Sequence, residues 1–419
     1  MLHFPVGVAG PYSQGFGDPA NSFDAPVPGF IGPHGIGKAR LDDGIGGVEN
    51  PDNRVNPLFF AWADDYEDYQ RSDGDTGFGD PGFALGPVTG NNFDVVSLGD
   101  MTAAQIVAGD PSGRVTLVFP HPIRNRTGAD FVVFENGFTA TFDTGGDGIG
   151  GVFAELAHIE VSADGETFHR FPSDSLTPGT VGGFGTIDPS NVFNLAGKHV
   201  NAGGESWGTP FDIGELGLEV VTHLRVVDIP GDGSFSDASS QPIYDAWHTF
   251  GSGGFDLEAV GAISVDMSYD AWPALQQLPS GERGRDDDPD GDGISNLLEY
   301  ALGLVPWQAD PPSSGWGFSV VSDAGSDFFE LTTRRDERLV DLTREIQVSG
   351  GASSWTTMAI SHGGAPFQQA NGFSLSITEE RAGEIASIAV IRRDRVRDLT
   401  PIGTESRRIY RLKVTEITP

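Results

Sequence analysis

The sequence predicts an all-β protein built from two β-sandwiches, one large with long loops and one smaller, joined by a short helical linker. Three observations point there. Glycine (59) and proline (28) are abundant and charged residues make up only 20 % of the 419 positions, the composition of turn-rich β-structure. Short β-branched runs recur between Gly, Asp and Pro clusters. One stretch, 288–299, breaks that pattern with an acidic glycine loop that leads into a helical run.

Residues 1 to about 90 are rich in Gly, Pro and Asp, with aromatic islands such as Leu58-Phe59-Phe60-Ala61-Trp62. They read as loops with a few strands packed on a later core. From Phe93 the pattern becomes a series of strand-like runs at 94–98, 115–119, 131–134, 158–162, 224–229 and 257–263. This is a sandwich signature with long loops on one rim. Asp164-Gly165, between Ser162 and Phe168, is a hairpin signal. The hexapeptide Asp-Gly-Ile-Gly-Gly-Val occurs at 43–48 and again at 147–152. Two isolated copies do not make a repeat architecture, and they read as similar glycine turns beside carboxylates.

Tyr269 to Arg285 reads as a short helix and polar linker. Ser295 to Leu304 should form one helix, with Leu297, Leu298 and Ala301 facing inward and Gly303 near its end. Strands return at 328–332, 345–348, 385–391 and 410–414, where alternation with Arg and Thr predicts one wet face. The domain limits that follow are 1–268, 269–309 and 310–419.

The segment Asp-Pro-Asp-Gly-Asp-Gly-Ile-Ser-Asn-Leu-Leu-Glu at 288–299 has the spacing of a twelve-residue calcium loop. Asp288, Asp290 and Asp292 occupy positions 1, 3 and 5, and Gly293 stands at 6, where the backbone must turn sharply. Ile294 would offer its carbonyl at 7, Asn296 a side chain or bridged water at 9, and Glu299 a bidentate carboxylate at 12. A hard cation takes six to eight oxygens at about 2.3–2.6 Å, and this spacing wraps one chain around that sphere. A solvated acidic turn is the plainer alternative. Calcium (Ca2+) is the cofactor expected.

The formal net charge is −35. Residues 310–419 hold 13 Lys and Arg against 15 Asp and Glu, so −33 falls on residues 1–309. A phosphate backbone or an anionic bilayer would be repelled, which disfavours nucleic-acid and membrane-surface roles. Cysteine is absent, excluding disulfide scaffolds and thiol chemistry. No run of 18 apolar residues exists, so no helical membrane span is expected. The first residues lack the basic and apolar regions of a signal peptide, as in a mature exported chain or a non-secreted one. Single calcium loops fill where free calcium is millimolar, so an extracellular, cell-surface location is the expectation.

Two resemblances rest on these residues. The segment 269–419, with Tyr269-Asp270-Ala271-Trp272, the 288–303 loop and helix, Leu331 to Arg335, Ile346 to Ser349 and Trp355, resembles a C-terminal module of secreted proteins from Verrucomicrobia and related bacteria. Its loop is similar to dockerin and thrombospondin type 3 calcium loops, but it is single where dockerins carry a pair. Residues of roughly 60–265 resemble a bacterial cell-surface family, through Ala84 to Pro87, Phe93 to Gly99, Asp130 to Gly137, Phe153 to Ser162 and Gly251 to Gly261. That resemblance implies a jelly-roll β-sandwich of the discoidin or galactose-binding kind, a fold-level analogy to sugar binding.

Jelly rolls of this class often hold a structural calcium near their first and last strands. Here Glu135 and Asp256 would be its ligands, with Glu258, Asp143, Asp147, Asp228 and Asp232 close in sequence to strand ends or glycine turns. The plainer reading is that so acidic a chain carries carboxylates in every loop. A glycan rim would need aromatic platforms, and Trp207 and Trp247 lie in glycine-rich loops where such a rim is expected. The alternative is that both cap the core. Catalytic signatures are missing: there is no Gly-x-Ser-x-Gly, no His-Glu-x-x-His and no phosphate loop. His34, His121, His158, His199 and His248 are scattered and read as surface or strand residues. Carboxylate pairs such as Glu135 with Glu155 can be chosen at will from 60 acids. Three functions remain open: a non-enzymatic glycan-binding or adhesion module, a homo-oligomeric surface-layer or filament subunit bridged by calcium, and a secreted hydrolase.

Overall fold

The computed structural model describes residues 10–13, 24–41, 49–75, 77–250, 253–311, 314–351, 354–381, 390–404 and 408–417. The architecture is all-β, with antiparallel sheets and a few short helices. The chain divides between Val265 and Asp266 into two compact units.

Seven strands form most of the two main sheets of the first unit: β1 Asp65–Gln70, β2 Arg114–Arg124, β3 Phe131–Glu135, β4 Ala157–Ser162, β5 Trp207–Phe211, β6 Val220–Asp228 and β7 Asp256–Ala262. One sheet runs β4-β6-β2-β1, with the short strand His169–Arg170 beyond β4. The other runs β5-β3-β7, extended by Val27–Pro28 at one edge and by Ala61–Trp62 and Val96–Ser97 beside β7. From β2 to β7 each successive strand of these seven changes sheet, so the two sheets of the sandwich are built together along the chain.

The strand sequences explain their places. In β2, Val115 and Leu117 are fully buried on the core face, and Thr116 on the other face is covered as well, accepting from Arg225 Nε at 3.0 Å, while Arg114 and Val118 are only half-buried. Strand β7 lies between β3 and the short strands, and all of its residues are buried, so it reads as a continuous apolar run apart from Asp256 and Glu258. The expected hairpin forms at Asp164-Gly165. Gly165 adopts φ +75, and Asp164 Oδ1 accepts from the Glu166 and Thr167 amides, which holds its carboxyl down at about 2. The strand expected at 94–98 shrinks to Val96–Ser97, because only those residues find partners on β7. The first hexapeptide copy, 43–48, lies outside the described residues. In the second, Gly148 and Gly150 take positive φ before Val152 pairs with Thr139.

Seven longer strands form most of the second unit: β8 Trp316–Asp323, β9 Ser326–Asp336, β10 Leu342–Ser349, β11 Thr356–His362, β12 Leu375–Arg381, β13 Ile391–Asp398 and β14 Ile409–Glu416. Their sheets run β8-β9-β13-β12 and β11-β10-β14, the latter with the short strand Gln368–Gln369 beyond β11. Leu331, Ile346, Ala359, Phe367 and Val396 form the core between them. The run expected at 385–391 lies outside the described residues as far as 389, and a strand continues from Ile391. Arg393, Arg395 and Arg397 alternate with buried Asp394 and Val396 along β13, as a strand with one wet face requires. Arg335 is fully buried and donates to Asp394 at 2.9 Å, so neither charge is left unpaired.

The helical segment expected between the sandwiches falls in this second unit. Tyr300 donates from its hydroxyl to the Met267 carbonyl (2.9 Å) and to Asp341 (2.6 Å), and the Tyr269 amide donates to Asp341 (2.7 Å). Tyr269, Trp272 and Tyr300 pack as three rings with centroids 5.4–5.9 Å apart.

Candidate functional site

The acidic loop forms a cup. Oxygens of Asp288, Asp290 and Asp292 lie within 4.8 Å of one another. Gly291 and Gly293 turn the chain at φ +76 and +90, a region closed to most side chains. Their amides donate to the two oxygens of Asp288 at 2.9 and 3.0 Å. Asp292 accepts from the Ile294 amide (2.7 Å) and from the Asp310 amide (2.8 Å).

The helix Asn296–Leu302 continues the loop and stops at Gly303 in the left-handed conformation. Of the three residues expected to face inward, Ala301 does, Leu297 is half-buried and Leu298 turns outward. Leu298 is 40 % exposed, while Asn296, Glu299, Tyr300, Ala301 and Leu302 are buried. A seven-residue helix has too few turns for leucine spacing to fix its rotation. Ile294, Leu302 and Leu304 pack together instead.

This rotation buries Glu299 completely, and neither of its oxygens has a hydrogen-bond partner. Burial first, then repulsion from Asp290, Asp292, Asp310 and Asp288, pushes its carboxyl up to about 8. Asp290 leaves one buried oxygen without a partner, and Asn296 leaves its side-chain oxygen so. The amide nitrogen of Asn296 is committed to the carbonyls of Glu282 and Gly284 at 2.9 and 2.8 Å. An isolated buried carboxylate is costly unless it is neutralised, so these residues fit a hard cation. Asp288, Asp290, Asp292, Asn296 and Glu299 would hold it, with the Ile294 carbonyl at the remaining loop position. Sequence spacing missed Asp310, which lies beyond the twelve-residue frame and reaches the site only through the fold.

The second expected cation position is different. Glu135 ends β3 opposite Leu257, next to Asp256 on β7. Both are buried, with Glu155, Asp228, Asp245 and Glu258, each no more than 4 % exposed. Glu135 accepts from the Gly137 amide (2.8 Å), Glu155 from Gly254 (3.1 Å), Asp228 from Phe255 (2.8 Å) and Asp245 from Leu156 (2.7 Å). Burial, the largest cause for each, and mutual repulsion raise Glu135, Glu155, Asp228 and Asp245 well above the usual carboxylate range. Among the described residues, no three acidic groups here gather as closely as those of the loop. Asp143 and Asp147 are exposed and stand apart from this buried layer. The pair suited to glycoside hydrolysis, Glu135 with Glu155, is sealed inside it.

Neither tryptophan expected at a ligand rim stands open. Trp207 is half-buried, its indole N–H donating to Glu205 at 3.1 Å. Trp247 donates to the Met101 carbonyl at 3.0 Å. His158 sits buried on β4, and its ring is held neutral by burial, down to about 3. His199 is buried in a bend rather than on a surface or strand. The first unit does present a cavity of about 540 Å³, lined by the rings of Phe138, Phe142, Phe153 and Phe184 and by several threonines. Compared with known protein families, curated proteins and solved structures, the chain matches none, so the resemblances drawn from its motifs stand on those residues alone.

Proposed function

We propose that the chain is a non-enzymatic, extracellular binding module of a cell surface, whose second unit is pinned by one calcium ion at residues 288–299. The observation that carries the reading is Glu299: a fully buried carboxylate with two unpartnered oxygens, repelled by the three aspartates of the loop. A divalent cation cancels that repulsion and supplies what both oxygens lack. Affinity on the order of 10⁻⁴–10⁻³ M is expected, as for extracellular modules. Such a site fills outside cells and stays empty within them, which supports export. The non-enzymatic reading draws on the sealed position of the carboxylates in the first unit and on a cavity lined by no carboxylate.

Calorimetric titration of calcium tests this directly. One binding event is expected in the wild-type protein, lost in Glu299→Gln and in Asp292→Ala. Chelation should also open the chain near residue 285 to limited proteolysis, because the Asn296 amide nitrogen and amide anchor the segment 282–287 to the loop. An unchanged titration in Glu299→Gln, or a cleavage pattern indifferent to chelator, would overturn the reading.

A further inference from the structure

We propose that the phenylalanine-lined cavity of the first unit is a binding site for an uncharged saccharide. The inference supplies a ligand class to the binding-module reading and rests on it only in that sense, because the cavity and the calcium loop belong to different units.

The cavity is built from local pairing. Phe138–Thr139 and Val152–Phe153 form a two-stranded ribbon in which Phe138 stands directly opposite Phe153. That register stacks their rings at 4.9 Å with an interplanar angle of 14°, so the pair forms one rigid apolar wall of the cavity. Phe142 and Phe184 rise at the edge, 66 % and 64 % exposed, and Phe138 is 43 % exposed. Rings left this open in water, and gathered at one place, mark a recognition surface rather than a core. They line about 540 Å³ of space, room for one or two sugar rings.

Charge and hydrogen-bonding chemistry select the ligand class. The lining holds no ionisable side chain, in a region of the chain that carries −33 of the formal charge. Nucleotides and acidic glycans would be repelled by that field, and an amine would find no carboxylate to pair with in the cavity. Asn92, Thr139, Thr141 and Thr144 place an amide and hydroxyls beside the rings. An alkyl chain would cover these polar groups without replacing their hydrogen bonds to water. A neutral pyranose meets both demands, packing its C–H groups on the phenyl rings that line the cavity while its hydroxyls reach the threonine and asparagine groups.

The test uses the full chain and saturation-transfer NMR with four neutral trisaccharides: maltotriose, cellotriose, xylotriose and mannotriose. At least one should bind, at millimolar affinity or better. Phe142→Ala and Phe184→Ala should each weaken it about five- to tenfold, while Val107→Ala, 88 % exposed and outside the cavity lining, leaves it unchanged. All three positions are exposed, so the variants should fold, and circular dichroism checks this. Silence across all four sugars, unaltered binding in both phenylalanine variants, or preference for hexanol or trigalacturonate over every neutral sugar would overturn the proposal. Calcium titration on the same sample separates the two ideas. If calcium binds and no sugar does, the saccharide site alone falls.

Discussion

A carboxylate that is fully buried with neither oxygen hydrogen-bonded is stable only as a neutral acid or beside a cation, and Glu299 is such a group. Its carboxyl is raised to about 8. Without metal it therefore adds stability that is complete below the unfolded value near 4.3 and is lost as pH rises through about 8. Calcium reverses the preference, because the ligand must be ionised. At pH 7 binding should release close to one proton per ion, and near pH 9 none. The apparent affinity should climb by up to about tenfold per pH unit towards pH 8. Calorimetry in two buffers of different ionisation enthalpy reads the proton count. A count of zero at pH 7 would remove Glu299 from the ligand set. The ligand spacing of this loop was legible from residues alone, since the coordination sphere of calcium is wrapped by twelve consecutive positions. Asp310, whose amide holds Asp292, was not legible, because it arrives from outside that local frame.

At the scale of elements, strands were easier to read than the helix. Long runs such as Val115 to Phe119 and Leu257 to Ile263 are β-branched and bounded by turn residues, so propensity and burial agree. The helix after the loop spans less than two full turns, and its leucines alone do not set its rotation. The loop does, by turning Glu299 inward, which carries Leu302 into the core and Leu298 to the surface. The consequence is measurable by chemical denaturation. Leu302→Ala should cost about 2–5 kcal/mol, and Leu298→Ser should stay within about 0.5 kcal/mol. Equal effects would show that the helix presents the other face. The buried carboxyl layer behind Glu135 escaped element-level reading for a related reason: its members come from β3, β6, β7 and the loops near Glu155 and Asp245, and only sheet pairing assembles them.

For the whole molecule, the division between Val265 and Asp266 confines the acidic loop at 288–299 to one of two units. Scanning calorimetry should then resolve two transitions, of which only the one belonging to the second unit responds to calcium. Saturation at ten to a hundred times the dissociation constant should raise that unit by about 1.4–2.7 kcal/mol. Equal movement of both transitions would place a stabilising cation in the first unit as well. Composition and strand runs fixed the all-β class and several central strands, and the spacing at 288–299 fixed a tight acidic turn, because each depends on neighbours within a dozen residues. Strands such as Trp207–Phe211 and Leu375–Arg381 were not read from the sequence. The sealing of Glu135, Glu155 and Asp256 and the convergence of Phe138, Phe142, Phe153 and Phe184 on one cavity were decided only by the tertiary structure. Those groups meet through sheet register and loop packing between distant parts of the chain, and no local pattern of residues encodes which loop will lie beside which.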